Sequence, residues 1–131
     1  MADGECSLRL TRRIAAPPEE VWQALTDPES LHRWHSPPVG GPLEPGAELE
    51  LAFGDDEPVV ALVRELEREL VLELDWDTGH DPSTVRFELR PDGEGGTVLV
   101  LDHSRIDERF GMRYLDRWVA ALDRLQRRFD Q

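Results

Sequence analysis

A long amphipathic helix at the end of the chain is the sequence feature that most constrains the fold. Apolar residues recur there three or four positions apart, and no proline or glycine follows Gly111. The apolar positions are Met112, Leu115, Trp118, Val119, Leu122, Leu125 and Phe129. This stripe of about 18 residues predicts a helix roughly 27 Å long that must bury one side.

The segments before this helix alternate in hydrophobicity with the period of β-strands. We predict about six strands, over residues 8–14, 49–53, 59–65, 70–76, 85–89 and 97–103. Prolines followed by acidic residues predict two short helices after the first strand, over 20–26 and 28–34. The prolines and glycines of residues 37–42 predict an irregular loop.

The order of these elements predicts the α+β class. Strands joined by short turns form an antiparallel meander, and a sheet of this size curls. We expect the C-terminal helix to lie across the concave face, because no other large apolar surface can cover its stripe. Residues 1–131 then form one domain, with residues 1–6 flexible. A helix laid across a curved sheet can leave an apolar pocket.

The composition excludes several classes of function. The chain has 28 acidic against 15 positive residues, a formal net charge of −13, and every positive residue is an arginine. Without lysine there is no Schiff base and no phosphate loop that needs its lysine. This acidity disfavours nucleic acids and anionic membranes as partners. The single cysteine, Cys6, permits no internal disulfide and no zinc cage.

The sequence also predicts where the protein is found. No apolar run approaches the roughly 20 residues of a spanning helix, and the first residues contain no apolar signal core. We therefore expect a soluble protein of the cytoplasm. The use of arginine in place of lysine is typical of a GC-rich bacterial genome.

Several motifs resemble one known superfamily. The run from Ala16 to Trp34 is similar to the opening of the SRPBCC superfamily, which includes the START lipid carriers and the Bet v proteins. Within it, the chain most resembles bacterial homologues of the activator of the ninety-kilodalton heat-shock chaperone's ATPase. Further similar segments are Pro45-Gly46, Leu70 to Trp76, Gly96 to His103 and Tyr114 to Leu125. The resemblance covers about residues 8–129.

The resemblance implies a helix-grip fold, often with an apolar cavity between the sheet and the terminal helix. Three features depart from the family pattern: His35 replaces an aromatic residue, Ala47 replaces a second glycine, and the chain is short. A short chain implies a small cavity. The superfamily contains carriers, polyketide cyclases and chaperone regulators, so fold membership alone does not give the function.

We predict a set of ligand-binding residues that would line this cavity. They are Trp34, Phe53, Leu62, Leu74, Trp76, Phe87, Leu101, His103, Met112, Leu115, Trp118 and Val119. An aromatic-lined pocket suits a flat or lipophilic ligand. The alternative is that the tryptophans, Trp22 included, simply fill the core of a small domain.

His103 is the polar residue of most interest. It shares a strand face with Leu99 and Leu101, and the resemblance implies that this face points toward the helix. A histidine there could bind a ligand or act as an acid or base near neutral pH. The alternative is a histidine whose ring is satisfied by neighbouring protein groups.

For the other polar groups we expect solvated surfaces, with a metal site, a cation-binding loop and a partner-docking stripe as the respective alternatives. The polar residues of the second short helix and of the 75–81 linker fit solvated surfaces, as does an arginine stripe on the long helix. These groups are Glu29, His32 and His35; Asp75, Asp77, His80 and Asp81; and Arg109, Arg113 and Arg117. The hydroxyls of Ser104 and Tyr114 lack the setting of an activated nucleophile. We predict no catalytic residue, no metal and no cofactor.

The leading hypothesis is a non-catalytic module that binds a small hydrophobic or aromatic molecule between sheet and helix. A second is an enzyme similar to a polyketide cyclase or aromatase, with His103 assisting dehydration. A third is a chaperone regulator or a natural-product self-resistance protein. An exposed apolar patch around Val98 and Val100 would favour a homodimer or a protein partner.

Overall fold

The computed structural model describes residues 5–26, 38–39, 46, 48–52, 58–67, 69–77 and 82–129. The strands are β1 (Glu5–Ile14), β2 (Pro38–Val39), β3 (Glu48–Ala52), β4 (Pro58–Glu67), β5 (Val71–Asp77), β6 (Ser83–Pro91) and β7 (Thr97–Asp107). The helices are α1 (Pro18–Thr26) and α2 (Gly111–Phe129), with a 3₁₀ turn (Glu108–Phe110) before α2. The model therefore has the α+β composition that the sequence predicts.

All strands belong to one antiparallel sheet of order β1-β7-β6-β5-β4-β3-β2. The six predicted strands and the first short helix are confirmed. The two residues of β2, which pair with Leu51 and Glu50, fall in the predicted irregular loop. The second predicted short helix lies outside the described residues. Glu5 and Cys6, at the end of the segment predicted to be flexible, pair with β7.

Two bulges change which residues face inward. Leu8 pairs with His103 but Cys6 pairs with Ile106, so Ser104 and Arg105 together oppose one residue of β1. Arg105 has a φ of 59°, in the left-handed region. The extra residue shifts the alternation by one, and Ile106 is buried on the same face as His103. A second shift, between Val63 and Glu65, does the same in β4.

Helix α2 runs alongside β1 in the same direction. At its start, a Cβ on Gly111 would lie 2.8 Å from the Cys6 Sγ. Near its end, the Gln126 amide Nε2 donates a hydrogen bond of 2.8 Å to the Arg13 carbonyl. The helix buries Trp118, Ala121, Leu122 and Leu125 against the concave face of the sheet, called here the inner face. This confirms the helix-grip architecture that the resemblance implies.

The opposite, outer face of the sheet carries paired charges. The Arg86 guanidinium contacts the carboxylates of Glu65, Glu73 and Glu88 at 3.2, 3.1 and 2.7 Å. Val98 and Val100 are only half-buried there. Among the described residues, the exposed large apolar side chains are Val60, Leu70 and Met112. They lie on three different elements, so they are not the apolar patch considered above.

The hairpin that joins β6 to β7 is held by one carboxylate. Asp92 accepts hydrogen bonds from the backbone N–H groups of Glu94 and Gly96, at 2.7 and 2.9 Å, and from Arg13 at 2.7 Å. The two N–H donors and the Arg13 guanidinium stabilise the charged carboxylate and lower the pKa of Asp92. Within the described residues, no helix is long and apolar enough to cross a membrane.

Candidate functional site

The inner face places residues of three neighbouring strands under α2. Cross-strand partners share a face, so Trp76 lies beside Ser83, and His103 beside Val85. Phe87 lies between Leu72 on β5 and Leu101 on β7. All of these side chains are at least 96% buried. Because α2 lies along β1, its inward side faces these central strands.

Five rings meet between the sheet and α2, and we call them the aromatic cluster: Trp76, Phe87, His103, Tyr114 and Trp118. The centroid of Trp118 lies 5.4 Å from that of Trp76 and 5.8 Å from that of Phe87. The His103 ring packs edge-on against Tyr114 at 4.5 Å and against Trp76 at 6.0 Å. These are the tilted and edge-to-face geometries that aromatic pairs prefer. The cluster therefore has well-defined geometry as well as apolar volume.

A chain of hydrogen bonds runs through this cluster. The Trp118 indole Nε1 donates to His103 Nδ1 at 3.0 Å, and an indole N–H can only donate. Nδ1 is therefore the bare nitrogen, and we assign the proton of the neutral ring to Nε2. Nε2 then donates to the Ser83 hydroxyl at 2.8 Å, and that hydroxyl reaches the Trp76 carbonyl at 3.4 Å. Both ring nitrogens are engaged.

Burial sets the protonation state of His103. The side chain has no exposed surface, and desolvation lowers its pKa from 6.5 to about 3. The ring is therefore neutral near pH 7, and both of its nitrogens bond to protein groups. A neutral ring without a free nitrogen cannot exchange protons with a substrate in this arrangement. The alternative of a satisfied buried histidine describes this geometry.

The structure brings together six of the twelve predicted ligand-binding residues. Leu74, Trp76, Phe87, Leu101, His103 and Trp118 all lie on the inner face or on the side of α2 that covers it, with at most 4% of their surface exposed. These side chains therefore have almost no solvent-accessible surface. The alternative interpretation of Trp76 and Trp118, that they fill the core, also fits this packing.

Of the other six, the structure describes Leu62, Met112, Leu115 and Val119. Leu62 pairs with Asp75 and alternates with buried Ala61 and Val63, so it points to the outer face. Met112 is 71% exposed. Trp34 and Phe53 lie outside the described residues.

Leu115 and Val119 are not among the partly buried apolar side chains that pack against the buried core. Both are half-buried. Val119 lies four positions before Asp123, which accepts a hydrogen bond from Arg12 on β1. Val119 therefore belongs to the flank of the helix that faces β1, and Leu115, four positions before Val119 and three before Trp118, lies between that flank and Trp118. They do not belong to the aromatic cluster.

Ser83 belongs to the site but was not among the predicted residues. The fifth predicted strand begins at Val85, whereas the corresponding strand of the structure, β6, begins at Ser83. The alternation of Ser83, Val85 and Phe87 could have identified Ser83 as a site residue, because it places the hydroxyl on the inner face. Tyr114, considered earlier only for its hydroxyl, contributes its ring.

The described surface also contains an open cleft of about 480 Å³ away from the aromatic cluster. Its lining residues are Arg13, Ala15, Glu94, Gly95, Gly96 and Gln126. The polar groups of Arg13, Glu94 and Gln126 already bond to one another or to neighbouring residues. No group of three potential metal-ligating side chains occurs among the described residues. Glu29, His32, His35, His80 and Asp81 lie outside that part of the chain.

A curved antiparallel sheet that holds a C-terminal helix, with an aromatic cluster between them, defines the helix-grip class of proteins. Comparison with known families makes this more specific. The model of the family described as activator of Hsp90 ATPase homolog 1-like protein matches residues 15–130. The chain belongs to this family, which confirms the resemblance inferred from its sequence.

Solved structures agree with this family membership. CalU16 from Micromonospora echinospora is 28% identical, with a TM-score of 0.79 over 93% of this chain and 73% of that chain. DynU16, a protein in the dynemicin biosynthetic locus, is 25% identical, with a TM-score of 0.85 over 95% of this chain and 47% of that chain. The Aha1 dimer from Colwellia psychrerythraea shares the fold, with 21% identity and a TM-score of 0.83 over 95% and 96% of the two chains. No curated protein matches the sequence.

Proposed function

We propose that this chain is a non-catalytic protein that binds a small hydrophobic or aromatic molecule between the inner face and α2. The observation that carries the proposal is the aromatic cluster, in which apolar rings surround one fixed hydrogen-bond acceptor, His103 Nδ1. Small-molecule sites combine these parts: mostly apolar walls and a few positioned polar groups. A structural neighbour from a biosynthetic locus, DynU16, adds support for a small-molecule role.

The same geometry argues against the polyketide cyclase alternative. That reaction would use His103 as an acid or base, but its pKa is about 3 and both of its nitrogens are bonded. The Ser83 hydroxyl is 96% buried and already accepts from His103. Neither group has the access or the protonation state that general acid–base catalysis requires.

The test is a panel of hydrophobic probes measured by thermal shift and by tryptophan fluorescence. We expect saturable binding of one molecule per chain, with fluorescence changes because Trp76 and Trp118 lie in the cluster. Leu101→Ala, which alters the inner face, should change probe affinity at least about threefold. Val100→Ala, on the outer face of the same strand, is the matched control and should leave it unchanged. If no probe binds saturably, the proposal is wrong.

Regulation of a protein partner is the second candidate, because the family takes its description from an activator of the Hsp90 ATPase. The outer face, with its Arg86 ion pairs, would be the docking surface. ATP hydrolysis by a bacterial chaperone of that class would then change when the chain is added. Arg86→Met should weaken the effect, whereas an unaltered rate with the native chain would remove this candidate. Either role is proposed for the cytoplasm.

A further inference from the structure

Trp118 fills the centre of the aromatic cluster and donates the hydrogen bond that His103 Nδ1 accepts. We propose that the Trp118 indole holds the place of the ligand, and that the ligand is a planar aromatic molecule carrying an N–H or O–H donor. On binding, it displaces the indole and donates to His103 in its place. This inference rests on the proposed function and specifies the ligand class of that same site.

The polar groups of the inner face determine the chemistry of the guest. Among the described residues, the buried polar side chains are Ser83, Thr97 and His103, and the Trp76 indole Nε1 is also buried. Thr97 donates to the Ala16 carbonyl at 2.7 Å, and Ser83 lies between His103 Nε2 and the Trp76 carbonyl. His103 Nδ1 is then the acceptor that becomes available when the indole leaves. A guest must supply the missing donor or leave that nitrogen unpaired.

The neighbouring rings determine the shape of the space that the Trp118 indole occupies. The Trp118 indole lies between the rings of Trp76 and Phe87, at 5.4 and 5.8 Å between centroids, in tilted and edge-on contacts. A flat ring system of similar size can keep both contacts. Leu101 and Leu122 are buried in the same core and add apolar surface around these rings. These walls favour a flat aromatic guest over a branched aliphatic one.

The requirement that the ligand donate a hydrogen bond to His103 can be measured. A buried acceptor left without a partner costs enough to weaken binding by about tenfold or more, and sites built around such a bond reject analogues that lack it. Displacing Trp118 also lowers the apparent affinity, since the binding-competent state is a minor one. Removing the indole should therefore raise affinity while keeping the preference for a donor.

The first experiment uses Trp118→Ala with indole and its isostere indene, which lacks the N–H. Indole should raise the Tm of the variant in a saturable manner and should bind at least about tenfold more tightly than indene. Trp118→Ala combined with His103→Leu is the matched control, and it should bind indole and indene alike. Equal affinities in Trp118→Ala itself would overturn the inference.

The second experiment uses the native chain and remains informative if Trp118→Ala does not fold. Here 2-naphthol should bind and 2-methoxynaphthalene, which has no donor, should bind at least about tenfold more weakly. Binding of both with equal affinity would overturn the donor requirement and leave the proposed function standing. Binding of indole to Trp118→Ala, with none of 2-naphthol to the native chain, would overturn the displacement. If neither protein binds any probe, the proposed function fails as well.

Discussion

At the scale of single residues, His103 shows how a polar group is kept inside an apolar core. The ring has no exposed surface, yet each nitrogen has a partner at hydrogen-bond distance, on Trp118 and on Ser83. A buried polar group that is fully paired costs little, whereas the same group charged would be expensive. The neutral tautomer and the packing of α2 on the sheet therefore depend on each other.

This dependence predicts how stability changes with pH. The pKa of His103 falls from 6.5 in the unfolded chain to about 3 in the folded one. Between these values the unfolded state binds a proton that the folded state cannot, so stability is full above pH 6.5 and is lost as pH falls toward 3. Between pH 7 and pH 5 the loss should be about 2 kcal/mol. Urea unfolding at each pH measures it.

His103→Gln is the matched control for this titration. The glutamine amide offers a donor and an acceptor but does not titrate, so the variant should lose less stability between pH 7 and pH 5. The acidic residues contribute equally to both proteins. Identical pH slopes in the two proteins would mean that His103 takes up its proton in the folded state.

Two of the three glycines in the hairpin between β6 and β7 are needed for different reasons. A Cβ on Gly96 would lie 2.8 Å from the Ile14 carbonyl oxygen and 2.5 Å from an Asp92 carboxylate oxygen. Gly93 has open space but a φ of 85°. Gly96→Ala should therefore destabilise by about 2–4 kcal/mol, through a clash with backbone, and Gly93→Ala by only about 1 kcal/mol. Chemical denaturation of both variants measures the difference, and the reverse order would contradict the clash.

At the scale of the elements, the bulge in β7 lets the strand contribute buried residues on both sides of Arg105. Up to His103 the odd-numbered residues are buried, and after Arg105 the even-numbered Ile106 is buried. The left-handed backbone at Arg105 makes this change of alternation possible. It also allows the strand to continue to Asp107, whose carboxylate accepts from the Arg109 backbone N–H and caps the 3₁₀ turn before α2.

The backbone of the bulge predicts an inverted preference for side chains. In an ordinary strand, valine is more favourable than glycine by up to about 1 kcal/mol. Arg105 has a φ of 59°, where a β-branched residue is strained. Arg105→Val should therefore be less stable than Arg105→Gly, by about 1–2 kcal/mol. Both variants lose the Arg105–Thr84 hydrogen bond, so their thermal unfolding can be compared directly. A more stable valine variant would show that the bulge rearranges.

The same elements show how far the sequence could predict the structure. Period-two alternation identified the strands because each has one buried face, and the stripe from Met112 identified α2. Leu62 was misplaced because residues 59–65 are apolar at both parities, so alternation could not decide the inner side. The apolar stripe is too wide to place Val119, which lies on the flank that meets β1, as the contacts of Asp123 and Gln126 with β1 show. The bulge at Arg105 has no signal, because nothing in an arginine marks a left-handed backbone.

At the scale of the whole molecule, local ion pairs coexist with a large excess of negative charge. On the outer face, Arg86 balances three carboxylates, and they raise the pKa of its guanidinium. Arg9 and Asp102 pair in the same row of the sheet. The net charge of −13 nevertheless acts on the entire fold, because like charges repel more strongly in the compact state.

The balance between these two effects predicts a response to salt. Salt screens long-range repulsion between exposed charges, and it weakens exposed ion pairs at the same time. Because 28 acidic residues face only 15 arginines, repulsion should dominate, and the Tm should rise by several degrees between about 20 and 500 mM NaCl. Arg86→Met removes the cation among Glu65, Glu73 and Glu88, so it should lower the Tm at low salt and steepen its rise with salt. Calorimetry of both proteins at each ionic strength measures this. A native Tm that falls with salt would mean that the ion pairs of the sheet outweigh the net charge.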